Sequence, residues 1–219
     1  MIAVIPARFG SESVKDKNWR DFCGTSLVQA AIDFATRNHM TPLITTNKEL
    51  AQIYNPIYMQ SEIHDAEALA VNVWRDALTD AEEDEFTCYL EPSSPFRTDE
   101  DYQRCRAALE DDWYRIAATV SPAGPPQKLL TMGIEDGHKV PVGDLTNRPR
   151  QNMGRHYRRN GAIYMARTDH VLRGEMMESR CCPVVSFGPR INIDSEDDWL
   201  MAELLWRHQS QKATTTPSD

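Results

Sequence analysis

The sequence is short of positive charge and of long apolar runs, and each shortage excludes a class of protein. Of its 219 residues, 24 are Lys or Arg and 33 are Asp or Glu, which gives a formal net charge of −9 at pH 7. A general nucleic-acid or membrane surface is expected to be basic, so neither partner is predicted. No apolar run approaches membrane-spanning length, and the N-terminus lacks the cationic start and long apolar stretch of a signal peptide. We therefore expect a cytoplasmic protein.

Several catalytic and metal-binding patterns are also missing. The cysteines are odd in number, no pair has the spacing of zinc ligands, and two are adjacent, which is a poor geometry for a disulfide. We interpret all five as reduced structural thiols: Cys23, Cys88, Cys105, Cys181 and Cys182. The Gly-x-Ser-x-Gly elbow of many hydrolases is absent, which disfavours a hydrolytic triad.

Strand-like and helix-like segments alternate along the chain, whose length suits one domain with a proper core. This alternation favours an α/β layered fold with a mixed, mainly parallel sheet. The predicted strands are Ile2–Ile5, Leu43–Thr46, Ile57–Met59, Thr87–Leu90, Ile116–Val120, Ala162–Met165 and Val184–Phe187. The predicted helices are Leu27–Asn38, Lys48–Tyr54, Ala66–Asp80, Glu100–Glu110, Thr168–Leu172 and Glu196–His208. Thr98 and Ser195 precede acidic helix starts and are predicted to cap them.

A proline-rich stretch, Ser121 to Tyr157, interrupts this alternation. It contains the run KLLTMGIEDGHKVPV, whose Asp136-Gly137 pair suits the tight turn of a hairpin. An antiparallel hairpin does not belong in a doubly wound sheet. We therefore predict an arm, about residues 122–157, that projects from a single domain of residues 1–208. Residues 209–219 are predicted to form a flexible tail, because its end is small and polar.

The first strand leads into a small cationic loop. The strand breaks at Pro6, and the loop then contains Arg8, Gly10, Ser11, Lys15, Lys17 and Asn18. It lacks both the Gly-Lys-Ser/Thr of a P-loop and the spaced glycines of a dinucleotide site. A buried strand that ends in such a loop still presents backbone N–H groups and positive charge to a phosphate. The sequence therefore predicts a phosphate-handling loop of a less common type.

Four segments of the chain resemble the acylneuraminate (CMP-sialic acid) cytidylyltransferases, in that family's order. They are IPARFGSESVKDKN at the N-terminus, EPSSPFRT (Glu91 to Thr98), NGAIYMA (Asn160 to Ala166) and INIDSEDDW (Ile191 to Trp199). The family's own forms are IPAR-x-GSK-x-x-x-x-KN, QPTSPLRT, NGAIYI and IDIDTEED. The resemblance reaches to about Gln209, and it identifies the chain as a divergent member of that family.

The resemblance implies a three-layer, Rossmann-like nucleotide-diphospho-sugar transferase fold whose small arm serves for dimerisation. It implies an Mg²⁺-dependent enzyme that transfers CMP from CTP to an anionic acceptor, a nonulosonic or related acidic sugar, and releases pyrophosphate. A homodimer is expected. Two alternatives stay open. One is the same chemistry with another nucleotide or a phosphonate acceptor, and the other is a nucleotide-binding module that has lost activity.

The matched segments also imply which residues form the site. By resemblance, the nucleotide is bound by Ala7, Arg8, Gly10, Ser11, Lys17, Asn18 and Asp65. The acceptor is bound by Glu91, Ser93, Ser94, Arg158 and Asn160. Arg8 and Lys17 would neutralise phosphates, and Asp194 with Asn192 would hold the metal. Arg148, Arg150 and Gln151 resemble the family's RRQ element, which is expected to contact substrate or the neighbouring subunit. Asp65 has a second interpretation, as a helix cap.

Three positions depart from the family's pattern. Glu12 replaces a lysine that stabilises the α-phosphate, Asn192 replaces an aspartate, and Glu91 replaces a glutamine near the acceptor sugar. For Glu12, three interpretations are open: Lys15 takes over the lysine's role, Glu12 acts in catalysis as a further metal ligand, or activity is weak or absent. Glu91 argues against an acidic sugar as the acceptor, whereas Arg158 suits a carboxylate.

Overall fold

The computed structural model describes residues 1–46, 57–60, 69–78, 85–124, 131–135, 138–142, 155–176, 180–189 and 191–215. Its strands are β1 (Ile2–Pro6), β2 (Thr41–Thr46), β3 (Ile57–Gln60), β4 (Phe86–Tyr89), β5 (Ile116–Ala123), β6 (Thr131–Glu135), β7 (His138–Val142), β8 (His156–Arg167) and β9 (Cys181–Val185). Its helices are α1 (Leu27–Arg37), α2 (Ala70–Asp76), α3 (Asp99–Ala108), α4 (Thr168–Leu172) and α5 (Glu196–Thr215). Over these ranges, no helix is both long and apolar enough to cross a bilayer.

The central sheet has seven strands in the order β3-β2-β1-β4-β8-β5-β9. β8 is antiparallel to its neighbours β4 and β5, while every other neighbouring pair is parallel. The predicted mixed, mainly parallel sheet is therefore confirmed. The loops that follow β1 and β4 open at one edge of the sheet, where ligands bind in such folds. Because β8 runs the other way, its first residues lie at that same edge.

The sheet is covered on both faces, because successive residues of a strand point to opposite sides. Ala3 and Ile5 of β1 belong to a buried cluster that includes residues of α1 and α3. Val4 lies between them in sequence and belongs to a second cluster, with residues of α2 and α4. The predicted three-layer architecture is thus confirmed. A smaller cluster, which includes Phe22 and Trp199, holds α5 against the loop that follows β1.

The hairpin predicted inside the proline-rich stretch is also present. β6 and β7 form a separate two-stranded antiparallel sheet. Glu135 pairs with His138. The turn predicted at Asp136-Gly137 lies outside the described residues. The hairpin leaves the core between β5 and β8, whose paired ends are Ala123 and His156. Its role in dimerisation, and the domain bounds 1–208, stay predictions.

Several element ends differ from those predicted. β8 begins at His156 rather than Ala162, because its polar first residues pair with the end of β5. α5 continues to Thr215 rather than His208, so the tail expected from residue 209 begins as helix. No Gly or Pro interrupts that sequence before Pro217, and such residues are the strongest helix breakers. The predicted helix Lys48–Tyr54 lies outside the described residues.

Candidate active site

The loop after β1 and the segment before α5 meet through one lysine. Lys17 Nζ donates to the Ile193 carbonyl oxygen at 2.6 Å, across 176 positions of sequence. The same ammonium lies 3.3 Å from Asp194 Oδ1, and the Lys17 side chain is 15% exposed against 67% for that of Asp194. The residue predicted to neutralise phosphates is therefore ion-paired with the residue predicted to hold a metal.

The loop itself is held in shape from inside. Gly10 has a φ of +81°, in the region that favours glycine. The buried Asn18 closes the loop, because its Nδ2 donates to the Arg8 carbonyl oxygen at 3.3 Å. Its own carbonyl accepts from Val28 N at 3.1 Å, which ties the loop to α1. The Asn18 side chain, predicted to bind nucleotide, thus supports the loop. Ala7 is buried and Glu12 is exposed.

Two aromatic rings join the ends of the same loop. The rings of Phe9 and Trp19 stack with centroids 4.7 Å apart and an interplanar angle of 3°. Sequence reasoning missed this contact. The available signal was one aromatic residue directly before Gly10 and another directly after Asn18, at the two ends of the cationic segment.

Asp194 has a second partner on its other oxygen. Asn192 Nδ2 donates to Asp194 Oδ2 at 3.0 Å. The Asn192 Oδ1 atom lies 3.1 Å from the Ser94 hydroxyl, which also contacts the Asn160 carbonyl oxygen at 2.5 Å. In addition, Ile193 N donates to the Ser93 carbonyl oxygen at 2.8 Å. These bonds hold the predicted metal residues against the predicted acceptor loop.

The donor set around Asp194 is small. Within the described residues, no group of three or more His, Cys, Asp or Glu side chains could enclose a metal ion. Asp194 supplies one carboxylate and Asn192 one amide oxygen. This set fits Mg²⁺, which is commonly held by one or two carboxylates while it keeps waters and binds substrate phosphates. It does not fit a dedicated cage built only from protein ligands.

Glu91 lies directly beside the backbone of β8. A Cβ built on Gly161 would lie 2.1 Å from Glu91 Oε2, and Gly161 has a φ of +69°, so both space and conformation require glycine. Burial raises the pKa of Glu91. The charge of Arg97 partly offsets this increase, and the charge of Asp194 adds to it. The charge of Lys17 also acts on it. Glu91 is thus within electrostatic reach of the Lys17–Asp194 pair.

Arg97 joins the loop after β4 to β8. The residue is 6% exposed. Its Nε donates to the Ala162 carbonyl oxygen at 3.0 Å and its Nη2 to the Glu91 carbonyl oxygen at 2.5 Å. Burial lowers its pKa to about 10, which leaves the guanidinium charged at neutral pH. Arg97 therefore fixes the backbone on which Glu91 and Gly161 meet.

The other two predicted acceptor residues differ in their surroundings. Asn160 Oδ1 accepts from Thr119 Oγ1 at 2.6 Å and its Nδ2 donates to Ser121 Oγ at 3.0 Å. These bonds span the register shift between β5 and β8, so this amide supports the sheet. Arg158 is exposed at the start of β8. The pKa of Asp198 is lowered chiefly by a hydrogen bond from Ser195, and the positive charge of Arg158 lowers it further. The Arg158 guanidinium therefore lies near the start of α5.

Four further predicted site residues lie outside the described residues: Asp65, Arg148, Arg150 and Gln151. The structure therefore brings together Lys17, Ser94, Asn192 and Asp194, with Glu91 close by. The substrate roles given to all of these residues stay predictions.

The fold is the Rossmann-like one that several solved nucleotidyltransferases have. It is similar to CMP:2-keto-3-deoxy-manno-octonic acid synthetase complexed with CTP, with a TM-score of 0.69, 15% identity, and coverage of 95% of this chain and 98% of that one. It is also similar to 2-C-methyl-D-erythritol 4-phosphate cytidylyltransferase from Thermus thermophilus, with a TM-score of 0.61, 16% identity, and coverage of 94% and 98%. No protein-family model matches the chain.

By sequence, the chain is similar to two curated N-acylneuraminate cytidylyltransferases. It is 24% identical to that of Escherichia coli O18:K1:H7 over 209 residues, which cover 90% of this chain and 49% of the relative. It is 22% identical to that of Streptococcus agalactiae serotype V over 212 residues, which cover 91% and 51%. The resemblance noted in the sequence is confirmed: the chain is similar to the acylneuraminate cytidylyltransferases over most of its own length. It spans about half the length of these curated relatives.

Proposed function

We propose that the protein is an Mg²⁺-dependent cytidylyltransferase, which transfers CMP from CTP to an anionic acceptor and releases pyrophosphate. The observation that carries the proposal is the meeting of Lys17 and Asp194 at the sheet edge reached by the loop after β1. A cation for phosphates and a carboxylate for a metal are the groups that nucleotidyl transfer requires side by side. The names of both curated relatives and of the CTP-bound neighbour support the choice of nucleotide.

In this proposal the protein acts by positioning and charge neutralisation. Arg8 and Lys17 would neutralise phosphate oxygens, and Asp194 would hold the cation through its carboxylate, which Asn192 keeps in position. When bound, Mg²⁺ would offset the negative charge that develops on the leaving group. A hydroxyl oxygen of the acceptor forms a bond to the α-phosphorus and its proton passes to solvent. The bond from that phosphorus to the oxygen that bridges it to the β-phosphate breaks, and pyrophosphate leaves.

On the acceptor side, we assign Arg158 to the carboxylate of a nonulosonic or related acidic sugar. Its exposure at the start of β8 suits this role, and a guanidinium binds a carboxylate through two parallel hydrogen bonds. Glu91 then faces hydroxyl groups of the acceptor. Its burial and the neighbouring Arg97 reduce the repulsion that an exposed carboxylate would exert on an acidic sugar.

We also propose a cytoplasmic homodimer. None of the five cysteines, all of which lie within the described residues, forms a disulfide, and this suits a reducing compartment. The β6–β7 hairpin presents Ile134, which is 78% exposed, and an apolar residue at such a position suits a subunit contact.

The experiment that tests the function measures pyrophosphate release with each of the four nucleoside triphosphates against a panel of acidic sugars and phosphonates. We expect turnover with CTP and an acidic sugar, its loss with EDTA, and a loss of about 10²–10³-fold in kcat/KM for Lys17→Met. Turnover with another triphosphate or only with a phosphonate would replace this proposal with the second enzymatic alternative. Binding of CTP without turnover on the whole panel would instead favour an inactive nucleotide-binding module, in agreement with Glu12 and Asn192.

A further inference from the structure

Both oxygens of the Asp194 carboxylate are engaged by the protein itself. Oδ1 accepts from Lys17 at 3.3 Å, and Oδ2 accepts from the Asn192 amide at 3.0 Å. The Lys17 ammonium is held in place by a second bond of 2.6 Å to the Ile193 carbonyl oxygen. A carboxylate with an ammonium on one oxygen and an amide on the other attracts a second cation only weakly, because its charge is already compensated.

The amide at position 192 is necessary for this arrangement. Asn192 offers an N–H to Asp194 and an oxygen to the Ser94 hydroxyl, 3.1 Å away. An aspartate in its place has no hydrogen to donate to Asp194, and it adds a second negative charge beside the first. Asn192 therefore stabilises the cation-free carboxylate, whereas an aspartate favours capture of a divalent cation.

We infer, resting on the proposed function, that Asp194 binds a divalent cation only together with the nucleotide, and that Lys17 and Asn192 hold its carboxylate until then. A polyphosphate offers Lys17 a stronger partner than Asp194 and so releases one carboxylate oxygen. A single protein carboxylate provides too few oxygen ligands for a divalent cation, and the phosphates of the nucleotide supply further oxygens. Asn192 is on this account a positioning residue that acts through Asp194.

The test is a titration with Mn²⁺, in which electron paramagnetic resonance measures the free ion, with and without CTP. We expect the wild-type protein to show no saturable Mn²⁺ binding below about 1 mM without nucleotide. With CTP present, it should take up more Mn²⁺ than the same concentration of CTP takes up alone. Asn192→Asp should bind Mn²⁺ alone at least tenfold more tightly than wild type. Lys17→Met should also gain affinity for Mn²⁺ alone, and at the same time lose affinity for CTP.

A matched control is Asn72→Asp on α2, which adds the same charge outside the site and keeps an acceptor for Arg75. It should bind Mn²⁺ as the wild type does. Equal Mn²⁺ affinity of the wild type with and without CTP overturns this inference alone. Unchanged Mn²⁺ binding by Asn192→Asp overturns the part assigned to Asn192. A wild-type protein that binds no nucleotide, with or without Mn²⁺, contradicts the proposed function and this inference with it.

Discussion

At the candidate site, contacts between residues distant in sequence determine which residue fits at a position more than that residue's own conformational propensity does. Gly161 has no side chain because the Glu91 carboxyl occupies that space, and Glu91 is held there by the backbone that Arg97 binds. Sequence comparison singled out Glu91 and the Asn160-Gly161 pair, but it did not show that they touch. Such contacts between distant segments cannot be read from local patterns, because they depend on how β4 and β8 pair.

Substituting Gly161 with alanine tests this contact. The new Cβ meets Glu91 Oε2 and the backbone has a positive φ, so we expect Gly161→Ala to lower the free energy of unfolding by about 2 kcal/mol or more. Gly24→Ala is the matched control, since Gly24 has a φ of +88° and no atom within 4 Å of a Cβ placed there. Urea denaturation of both variants measures the free energy of unfolding. The loss in Gly24→Ala gives the effect of the positive φ, and any further loss in Gly161→Ala gives the effect of the contact with Glu91. Equal losses in the two would refute the contact.

The raised pKa of Glu91 predicts a dependence of stability on pH. The folded protein holds this proton more tightly than the unfolded chain, so the residue's contribution to stability is present at low pH and falls as the pH rises through the raised pKa. Glu91→Gln should therefore gain stability relative to wild type as the pH increases from about 4.

The control for that measurement is Asp99, whose pKa is shifted in the opposite direction. Burial acts to raise the pKa of Asp99, but hydrogen bonds from Asn38 and Arg37 outweigh it and lower the pKa. Asp99→Asn should accordingly lose stability relative to wild type as the pH increases from acid to neutral. Urea denaturation at several pH values measures both differences. Profiles of Glu91→Gln and wild type that stay parallel would rule out a perturbed Glu91.

Among the helices and strands, the features that could be predicted were those that depend on residues close together in sequence, such as helix caps. Thr98 accepts from Asp101 N at 3.1 Å and Ser195 from Asp198 N at 3.1 Å, as the capping patterns predicted. The start of β8 could not be predicted, because its polar residues become strand only by pairing with β5. The end of α5 was predicted too early because a small, polar sequence resembles a tail as much as a helix end.

The cap of α3 gives a prediction at this level. Thr98→Ala removes the acceptor for Asp101 N and should lower the free energy of unfolding by about 1 kcal/mol. Thr98→Ser keeps the hydroxyl and should lose much less. Thermal or chemical denaturation measures both, and equal losses in the two variants would show that the methyl group of Thr98, rather than its hydroxyl, is what matters.

For the whole molecule, the alternation of strands and helices predicted the layers but not the direction of β8. The apolar run of β8 did not show that this strand is antiparallel to both of its neighbours, β4 and β5. The meeting of Lys17 with Asp194 was expected from family resemblance, which placed both at one site. Their direct ion pair was not, because it depends on how α5 packs against the loop after β1.

The proposed homodimer gives a prediction at the same scale. If the β6–β7 hairpin forms the subunit contact, Ile134→Asp should shift the protein toward monomer in sedimentation equilibrium, because a charge would be buried at the interface. Leu204→Asp on α5 is the control, since this leucine is also apolar and 55% exposed. Dissociation by Leu204→Asp and not by Ile134→Asp would assign the contact to α5 instead.

The stacked rings of Phe9 and Trp19 connect the two ends of the cationic loop. A loop whose ends are held together loses little conformational entropy when a ligand binds, so association should be fast and need little rearrangement. The stacking also makes the indole of Trp19 a fluorescent reporter, whose emission would change whenever the two rings separate.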